Sequence, residues 1–224
     1  MPGFADRRHA GRVLAGALAE FAGRDDVVVL ALPRGGVPVG HEVAAALGAP
    51  FDAFVVRKLS VPGHEELAFG AIATGGVRVL NEDVVVALEL SPAVIESVTA
   101  AARAELARRE QALRMGRALP PLNDRIVIIV DDGLATGATM RAAVAAVRQF
   151  DPSRVVVAVP VGPPDVCAEL AELADEVVCP MQPHSFSAVG LWYDNFSPTT
   201  DDEARQILDS APQRTARNRR RSKD

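Results

Sequence analysis

The sequence predicts an α/β fold, a three-layer sandwich with a central, mainly parallel sheet. Short runs of β-branched residues alternate along the chain with Ala-rich stretches of helical character. Residues 126–130 are five consecutive β-branched residues, which is typical of a strand covered on both faces. Three predicted strands end in glycine-rich or charged sequence, and ligands bind at the carboxyl ends of strands in such sheets.

The individual elements follow from the same alternation. Strands are predicted at 27–32, 51–56, 125–130, 154–160 and 176–179, with a hairpin of 71–73 and 77–80 around Gly75-Gly76. Helices are predicted at 37–47, from the Ser91 N-cap and Pro92 to about Gly116, at 139–150 and at 164–174. The apolar residues of the long helix recur at helical spacing, which favours a structural role.

The chain contains no internal repeat and no linker before residue 212. We therefore expect a single domain over 1–212, with a core at about 27–180 and a smaller hood at about 181–208 that includes an N-terminal helix. The two cysteines, Cys167 and Cys179, form no C-x-x-C pair and lie in no His-rich cluster. This spacing argues against a disulfide framework and against a zinc site.

Composition and charge exclude several classes of protein. The chain is 49% hydrophobic and 24% charged, as soluble globular proteins are. Residues 1–12 lack the apolar stretch of a signal peptide, and no run approaches the roughly 20 apolar residues of a membrane span. We therefore expect a cytoplasmic protein without membrane contact.

The net charge of −5 combines an acidic body with a basic tail at 213–224. We expect the tail to be disordered and solvated, and contact with nucleic acid or anionic lipid is the alternative. The acidic body argues against a dedicated nucleic-acid site.

The strongest motif is the run from Ile126 to Thr139, in which a strand delivers Asp131 and Asp132 to its tip. Backbone amides beyond them can wrap a phosphate closely, and the N-terminus of the next helix adds partial positive charge. Because carboxylates would repel that phosphate, we expect them to face sugar hydroxyls or a metal ion. The candidate 5-phosphate loop consists of Ala135, Thr136, Gly137, Ala138 and Thr139.

Four apolar residues, two acids and Ala-Thr-Gly-x-Thr resemble the ribose-phosphate motif of the type I phosphoribosyltransferase family. A chance strand–turn–helix is the alternative, whereas a Walker A loop lacks support because residues 133–139 contain no lysine. The resemblance runs from residue 27 to about 208, and it implies a mobile loop and a hood beside the sheet. It also implies that 5-phosphoribosyl 1-pyrophosphate binds, with Asp131 and Asp132 as catalytic residues on the ribose hydroxyls.

The second strand ending is Pro33-Arg34-Gly35-Gly36. Taken alone, it is equally typical of a plain turn from strand to helix. Beside the first motif it resembles the pyrophosphate loop of the family, in which Gly35 and Gly36 let backbone amides approach the diphosphate. Arg34 would then neutralise charge as a catalytic residue, and a non-proline cis peptide is expected near Arg34-Gly35.

The third ending is Arg57-Lys58, for which a solvated charge pair is the alternative. The resemblance assigns Lys58, with Arg57, to the pyrophosphate and its departing charge, and makes Lys58 catalytic. The stretch 60–70 corresponds in position to the mobile loop that closes over the substrate. His64 within it is either a proton carrier or an exposed loop histidine.

Residues 184–196 are rich in aromatic side chains, which make up only 4% of the whole chain. They resemble the hood of 6-oxopurine phosphoribosyltransferases, which implies that Phe186 or Trp192 stacks on the acceptor and that Asp194 reaches Mg²⁺. A satellite core that caps the sheet edge is the alternative. Ala135 stands where the oxopurine enzymes carry an aspartate, as in the adenine-type pattern, so hood and phosphate loop point to different acceptors.

Together, the resemblance implies a Mg²⁺-dependent transferase that displaces pyrophosphate with a nitrogen acceptor, a nucleobase or related amine. A homodimer is expected by analogy with the family. The alternative is a regulatory protein that binds the same ligand without catalysis, although Arg34, Gly35 and Lys58 favour the enzyme. A doubly wound nucleotide-binding module is disfavoured because no G-x-G-x-x-G opens a helix.

Overall fold

Two sheets organise the computed structural model, which describes residues 3–211 apart from the side chains of Glu65 and Glu66. The predicted basic tail at 213–224 lies outside these residues. The strands are β1 Val27–Ala31, β2 Phe51–Ala53, β3 Val56–Val61, β4 His64–Ala73, β5 Val77–Leu80, β6 Ile126–Val130, β7 Arg154–Ala158 and β8 Glu176–Val178.

The larger sheet is parallel throughout and has the strand order β2-β1-β6-β7-β8. Strand β6, with its five β-branched residues, lies in the middle and is buried along its whole length. This is the position that a two-sided apolar strand requires, because both of its faces must be covered. The predicted α/β fold class is confirmed.

Helices cover both faces of this sheet. They are α1 Arg7–Ala17, α2 Gly36–Leu47, α3 Glu82–Ala87, α4 Pro92–Arg114, α5 Ala138–Arg148, α6 Pro164–Ala171 and α7 Asp201–Ser210, with short 3₁₀ turns at Ala19–Phe21 and Val189–Trp192. Side chains of β1 alternate between two cores. Val27 and Val29 pack with α1, α2, α4 and α7, and Val28 and Leu30 pack with α5 and α6. None of the helices in the described part of the chain is long and apolar enough to cross a bilayer.

Two of the helices, α3 and α7, were not predicted from the sequence. Helix α7 begins with a capping box, in which Thr200 and Glu203 bond to each other's backbone N–H groups. A Thr-x-x-Glu pattern is a known start signal and could have identified this helix. Helix α3 is also capped, by the side chain of Asn81. The other predicted helices and parallel strands agree with the structure to within a few residues, including the Ser91 N-cap of α4.

The secondary structure predicted for Arg57, Lys58 and the stretch 60–70 was wrong. Strand β2 ends at Ala53, and β3 begins at Val56 in a separate antiparallel sheet of order β3-β4-β5. Arg57 and Lys58 therefore lie inside β3, and 60–70 forms most of a hairpin that turns at Pro62-Gly63 rather than a loop. Leu59 and Phe69 anchor this hairpin because both are fully buried. The adjacent charges concealed the alternation of apolar residues that marks a strand.

A buried ion pair ties the end of α4 to the edge strand β2. Nη2 of Arg114 lies 2.8 Å from Oδ2 of Asp52, and Nε donates to the same carboxylate. The two side chains are only 7% and 6% exposed. Removing one partner of such a pair leaves the other charge buried without compensation.

Replacing Arg114 by methionine should therefore lower the free energy of unfolding by about 3–5 kcal/mol, as measured in urea. The double variant Asp52→Leu/Arg114→Met should recover part of this loss, because neither charge then remains. Arg103→Met is the matched control on α4, where Arg103 is exposed and pairs loosely with Glu96 at 3.9 Å. It should change stability by less than about 0.5 kcal/mol, and an equal loss in both single variants would contradict the assignment.

Candidate active site

The ends of β1 and β6 bring two of the predicted motifs into contact. These strands are parallel neighbours, with Ala31 in register with Val130. Beyond them, a methyl group on Gly35 would overlap with the carboxylate of Asp132, and one on Gly36 would lie 2.7 Å from the carbonyl oxygen of Val130. Glycine is therefore required at both positions, for close approach of the backbone rather than for an unusual turn.

Asp131 follows directly on β6 and is partly buried. The backbone N–H of Asp132 donates to its Oδ1 at 2.8 Å. Burial raises the pKa of Asp131 well above its usual range, and the neighbouring charge of Asp132 raises it further. An acid of this kind is poised to hold a proton or a hydroxyl group.

Asp132 is held by an arginine that sequence reasoning did not identify. Nε of Arg7, at the start of α1, donates to Oδ2 of Asp132 at 2.7 Å, and the two side chains are 11% and 14% exposed. Burial raises the pKa of Asp132, and the bond from Arg7 opposes that rise. The hydroxyl of Tyr193 also donates to the carbonyl oxygen of Asp132 at 2.5 Å.

Arg7 is fixed from three sides. Its Nε bonds to Asp132, and its Nη1 donates to the carbonyl oxygen of Ser197 at 2.7 Å. Its guanidinium also lies 3.9 Å from the centre of the Phe196 ring. No local pattern marks Arg7, since its partner lies 125 residues away in the sequence. Only the N-cap residue Asp6, whose side chain accepts from the backbone of His9, signals the helix that presents it.

The candidate 5-phosphate loop has the geometry that its sequence predicts. Gly137 has a left-handed φ of 70° and is followed by helix α5, which begins at Ala138. A methyl group on Gly137 would lie 2.7 Å from the side chain of Val166. Ala135, Thr136 and Thr139 are exposed at the helix N-terminus, where backbone N–H groups favour an anion.

Comparison with known protein families supports the predicted resemblance. A model of the family described as the phosphoribosyl transferase domain matches residues 6–190. The chain belongs to the phosphoribosyl transferase domain family. The matched range begins one residue before Arg7 and includes both strand-end motifs, while Trp192 and Asp194 lie just beyond it.

Two relatives from Mycobacterium tuberculosis, strains CDC 1551 and H37Rv, carry the provisional name phosphoribosyl transferase. Each is 53% identical over 208 residues, which is 93% of this chain and 47% of the relative. The chain thus spans about half the length of these curated relatives.

Among solved structures, the crystal structure of TT1426 from Thermus thermophilus has 43% identity and a TM-score of 0.83, over 92% of this chain and 97% of that one. The AQ2163 protein from Aquifex aeolicus has 13% identity and a TM-score of 0.50, over 82% and 78% of the two chains. That second likeness concerns the fold alone.

The candidate pyrophosphate loop contains the non-proline cis peptide that was expected near Arg34-Gly35. It is the bond between Pro33 and Arg34. The Arg34 side chain is half-exposed and lies 3.6 Å from Asp201, the first residue of α7. Gly35 thus contacts the acidic pair while the charge of Arg34 lies toward α7.

Arg57 and Lys58 are not at the tip of a strand of the central sheet, as noted above. Lys58 is exposed, whereas Arg57 is partly buried. Burial lowers the pKa of Arg57, and the positive charges of Arg109 and Arg108 on α4 lower it further. The second sheet therefore brings Arg57 toward α4, and Lys58 projects into solvent on a strand.

The hood lies directly over the acidic loop. A methyl group on Gly133 would lie 2.6 Å from the side chain of Val189, in the 3₁₀ turn of the hood. The rings of Phe186 and Trp192 are nearly parallel, with an angle of 11° and centroids 6.4 Å apart. They pack in a small apolar cluster with Phe4, Tyr193 and other hood residues, so the satellite-core interpretation is correct for their packing.

Trp192 also carries a feature that packing alone does not explain. Its indole Nε1 is buried and, among the described residues, has no hydrogen-bond partner. Buried donors are normally satisfied by a hydrogen-bond partner. A role for Phe186 and Trp192 in acceptor binding remains a prediction.

Asp194 and His64 both have exposed side chains. In the described residues, no group of three or more His, Cys, Asp and Glu side chains gathers as a metal site. Mg²⁺ commonly uses only one or two carboxylates together with substrate phosphates, and the exposed Asp194, next to Tyr193, fits that requirement. His64 is exposed at the start of β4.

Replacing Gly35 by alanine should lower the free energy of unfolding by about 1–3 kcal/mol, because the added methyl group collides with Asp132. Chemical unfolding measures the change. Gly16→Ala is the matched control, because Gly16 lies in α1 with open space around its Cα. The control should gain up to about 1 kcal/mol. A Gly35→Ala variant as stable as the parent protein would refute the close contact.

Replacing Asp131 by asparagine should stabilise the protein at neutral pH. Between the ordinary pKa and the raised one, the folded state holds more protons than the unfolded chain, so the stability of the parent protein falls as pH rises through this window. Asparagine cannot ionise. The gain in Tm should therefore be larger at about pH 8 than at about pH 4, and a gain that does not vary with pH would contradict the raised pKa. Asp26→Asn, at an exposed pair with Arg24, should give no gain.

Proposed function

We propose that this protein transfers the 5-phosphoribosyl group from 5-phosphoribosyl 1-pyrophosphate to a nitrogen acceptor and releases pyrophosphate. The observation that carries the proposal is the contact of the Gly35 backbone with Asp132, beside the helix N-terminus at Ala138. This arrangement supports the proposal, because the candidate diphosphate loop, the pair of acids and the candidate 5-phosphate loop would then serve one ligand at one edge of the sheet. Membership of the family supports the same chemistry.

In the proposed reaction, the bond from C1 of the ribose to the pyrophosphate oxygen breaks and a bond from C1 to the acceptor nitrogen forms. The electron pair of the broken bond leaves with the pyrophosphate. Glycosyl transfers of this kind pass through a state with positive charge on the ring. Asp131 and Asp132 would bind the ribose hydroxyls, and the negative charge of Asp132 would favour the ring cation.

Arg7 has a positioning role in this proposal. Its bond to Oδ2 orients the carboxylate of Asp132 and limits the rise in pKa that burial causes. The N–H groups of residues 136–139 and the hydroxyls of Thr136 and Thr139 would hold the 5-phosphate. Backbone amides at Gly35 and Gly36 would approach the pyrophosphate.

Asp194 is the candidate protein ligand for Mg²⁺, which would supply positive charge to stabilise the departing pyrophosphate. The β3–β4 hairpin, which carries Lys58, would cover the bound donor and exclude water. Ala135 offers no polar group to an acceptor, so acceptor contacts would come from Phe186 and Trp192 in the hood. A homodimer in the cytoplasm is part of the same proposal.

The decisive experiment combines 5-phosphoribosyl 1-pyrophosphate with a panel of purines, pyrimidines and amines and measures pyrophosphate release. Release with one acceptor establishes a transferase. Tight binding without release under every acceptor would identify a regulatory protein that senses the same ligand. Absence of binding would refute both functions.

Asp132→Asn should lower the rate of pyrophosphate release by at least about 100-fold, because the amide carries no charge to stabilise the ribose cation. Its folded state should persist, since asparagine still accepts a hydrogen bond from Arg7. Asp26→Asn is the control, because Asp26 lies in an exposed pair just before β1, at the opposite end of that strand from the acidic pair. A near-normal rate in Asp132→Asn would exclude the role given to this residue.

A further inference from the structure

A second basic site lies beside the pyrophosphate loop. A cavity of about 310 Å³ opens between the Pro33-Arg34 bend and helix α4. Its charged lining residues are Arg34, Glu105, Arg108, Arg109 and Asp201. The two arginines of α4 belong to no motif that the sequence analysis identified.

Positive charge is in excess around this cavity. Arg108 and Arg109 share one acid, Glu105, and Nε of Arg109 lies 3.2 Å from it. Arg34 has only a loose contact of 3.6 Å with Asp201, and both side chains are about half exposed or more. Arg57, on the neighbouring strand β3, adds a partly buried fourth charge, whose pKa is lowered by burial and then by the charges of Arg109 and Arg108.

Gathering like charges in this way costs stability, because each guanidinium repels the others. An anion bound between the guanidinium groups attracts each of them, so the net electrostatic interaction becomes favourable. Arginine offers a planar fork of donors that matches phosphate oxygens two at a time. Arginines from a loop and from a helix converge on a cavity of sufficient size for a small phosphate chain.

The cavity is adjacent to the glycine cradle but separate from it. Gly35 and Gly36 contact the acidic pair through their Cα positions, whereas the Arg34 side chain lies by Asp201 and lines the cavity with α4. The bend at Pro33-Arg34 therefore has the acidic pair on one side and the arginines of α4 on the other.

We propose that the cavity between this bend and α4 binds a linear phosphate chain through Arg34, Arg108 and Arg109. Two sources share this chemistry: the diphosphate of the ribosyl donor, and a separate polyphosphate effector. The proposal does not depend on transfer activity, and it concerns only the recognition of phosphates.

Calorimetric titration with inorganic tripolyphosphate tests the site. The double variant Arg108→Gln/Arg109→Gln should bind at least about tenfold more weakly than the parent protein, since two charge-assisted contacts are lost. Glutamine is a good helix former, so α4 should persist, and thermal unfolding checks this. Arg103→Gln removes one charge from the same helix away from the cavity and should leave the affinity within about twofold.

Two results would overturn the proposal. In the first, the double variant binds tripolyphosphate as tightly as the parent protein does. In the second, Arg103→Gln weakens binding as much as the double variant, which would show that only the net charge of α4 matters.

A competition experiment then identifies the source. If saturating 5-phosphoribosyl 1-pyrophosphate excludes tripolyphosphate, the cavity takes the diphosphate of the donor, and if both bind together, it takes a separate effector. Either result upholds the site. The proposed transferase function can fail independently of this site. If no acceptor leads to pyrophosphate release, the parent protein and the double variant should still differ in their affinity for tripolyphosphate.

Discussion

The approach of the Gly35 backbone to the carboxylate of Asp132 is the constraint on which the site depends. It is possible only because β1 and β6 are parallel neighbours whose ends coincide and because residue 35 has no side chain. Burial raises the pKa of both acids, and the charge of Asp132 raises that of Asp131 further. This arrangement of acids therefore has an energetic cost, and the fully buried strands β1 and β6 supply the surrounding stability.

That cost explains why the N-terminal helix and the hood are part of the site. A carboxylate enclosed in protein needs a partner, and neither strand end supplies a cation to Asp132. Arg7 comes from the start of α1, and Phe196 and Ser197 in the hood hold it in place. Tyr193 adds a bond to the backbone of the same residue. A segment at the start of the matched range and a segment just beyond its end thus close over the central motif.

The sequence predicted what is local. The run from Asp131 to Thr139 predicts a function because strand, acids, glycine and helix start are consecutive, and the parallel sheet follows from β-branched runs. Arg7 could not be predicted in this way, since its role arises from a partner 125 residues away. Arg57 and Lys58 were assigned to the wrong sheet, because two charges interrupted the apolar alternation of β3. The exposed N-terminus of α5 and the hood were identified from their residue types. Their contacts could not be predicted, because these contacts depend on packing across the sheet.

The Pro33-Arg34 bend links the two proposed sites. Gly35, directly after the bend, approaches the acidic pair, and Arg34 itself turns its charge toward α4 and α7. A ligand on either side of the bend would therefore lie next to the same backbone segment, Pro33 to Gly35. Release of Arg34 from Asp201 requires only the loss of a loose, solvent-exposed ion pair, and such pairs contribute at most about 1 kcal/mol. An anion at the bend would exceed that contribution with a single charge-assisted hydrogen bond, so Arg34 can change partners between Asp201 and a phosphate without disturbing the buried contact of Gly35.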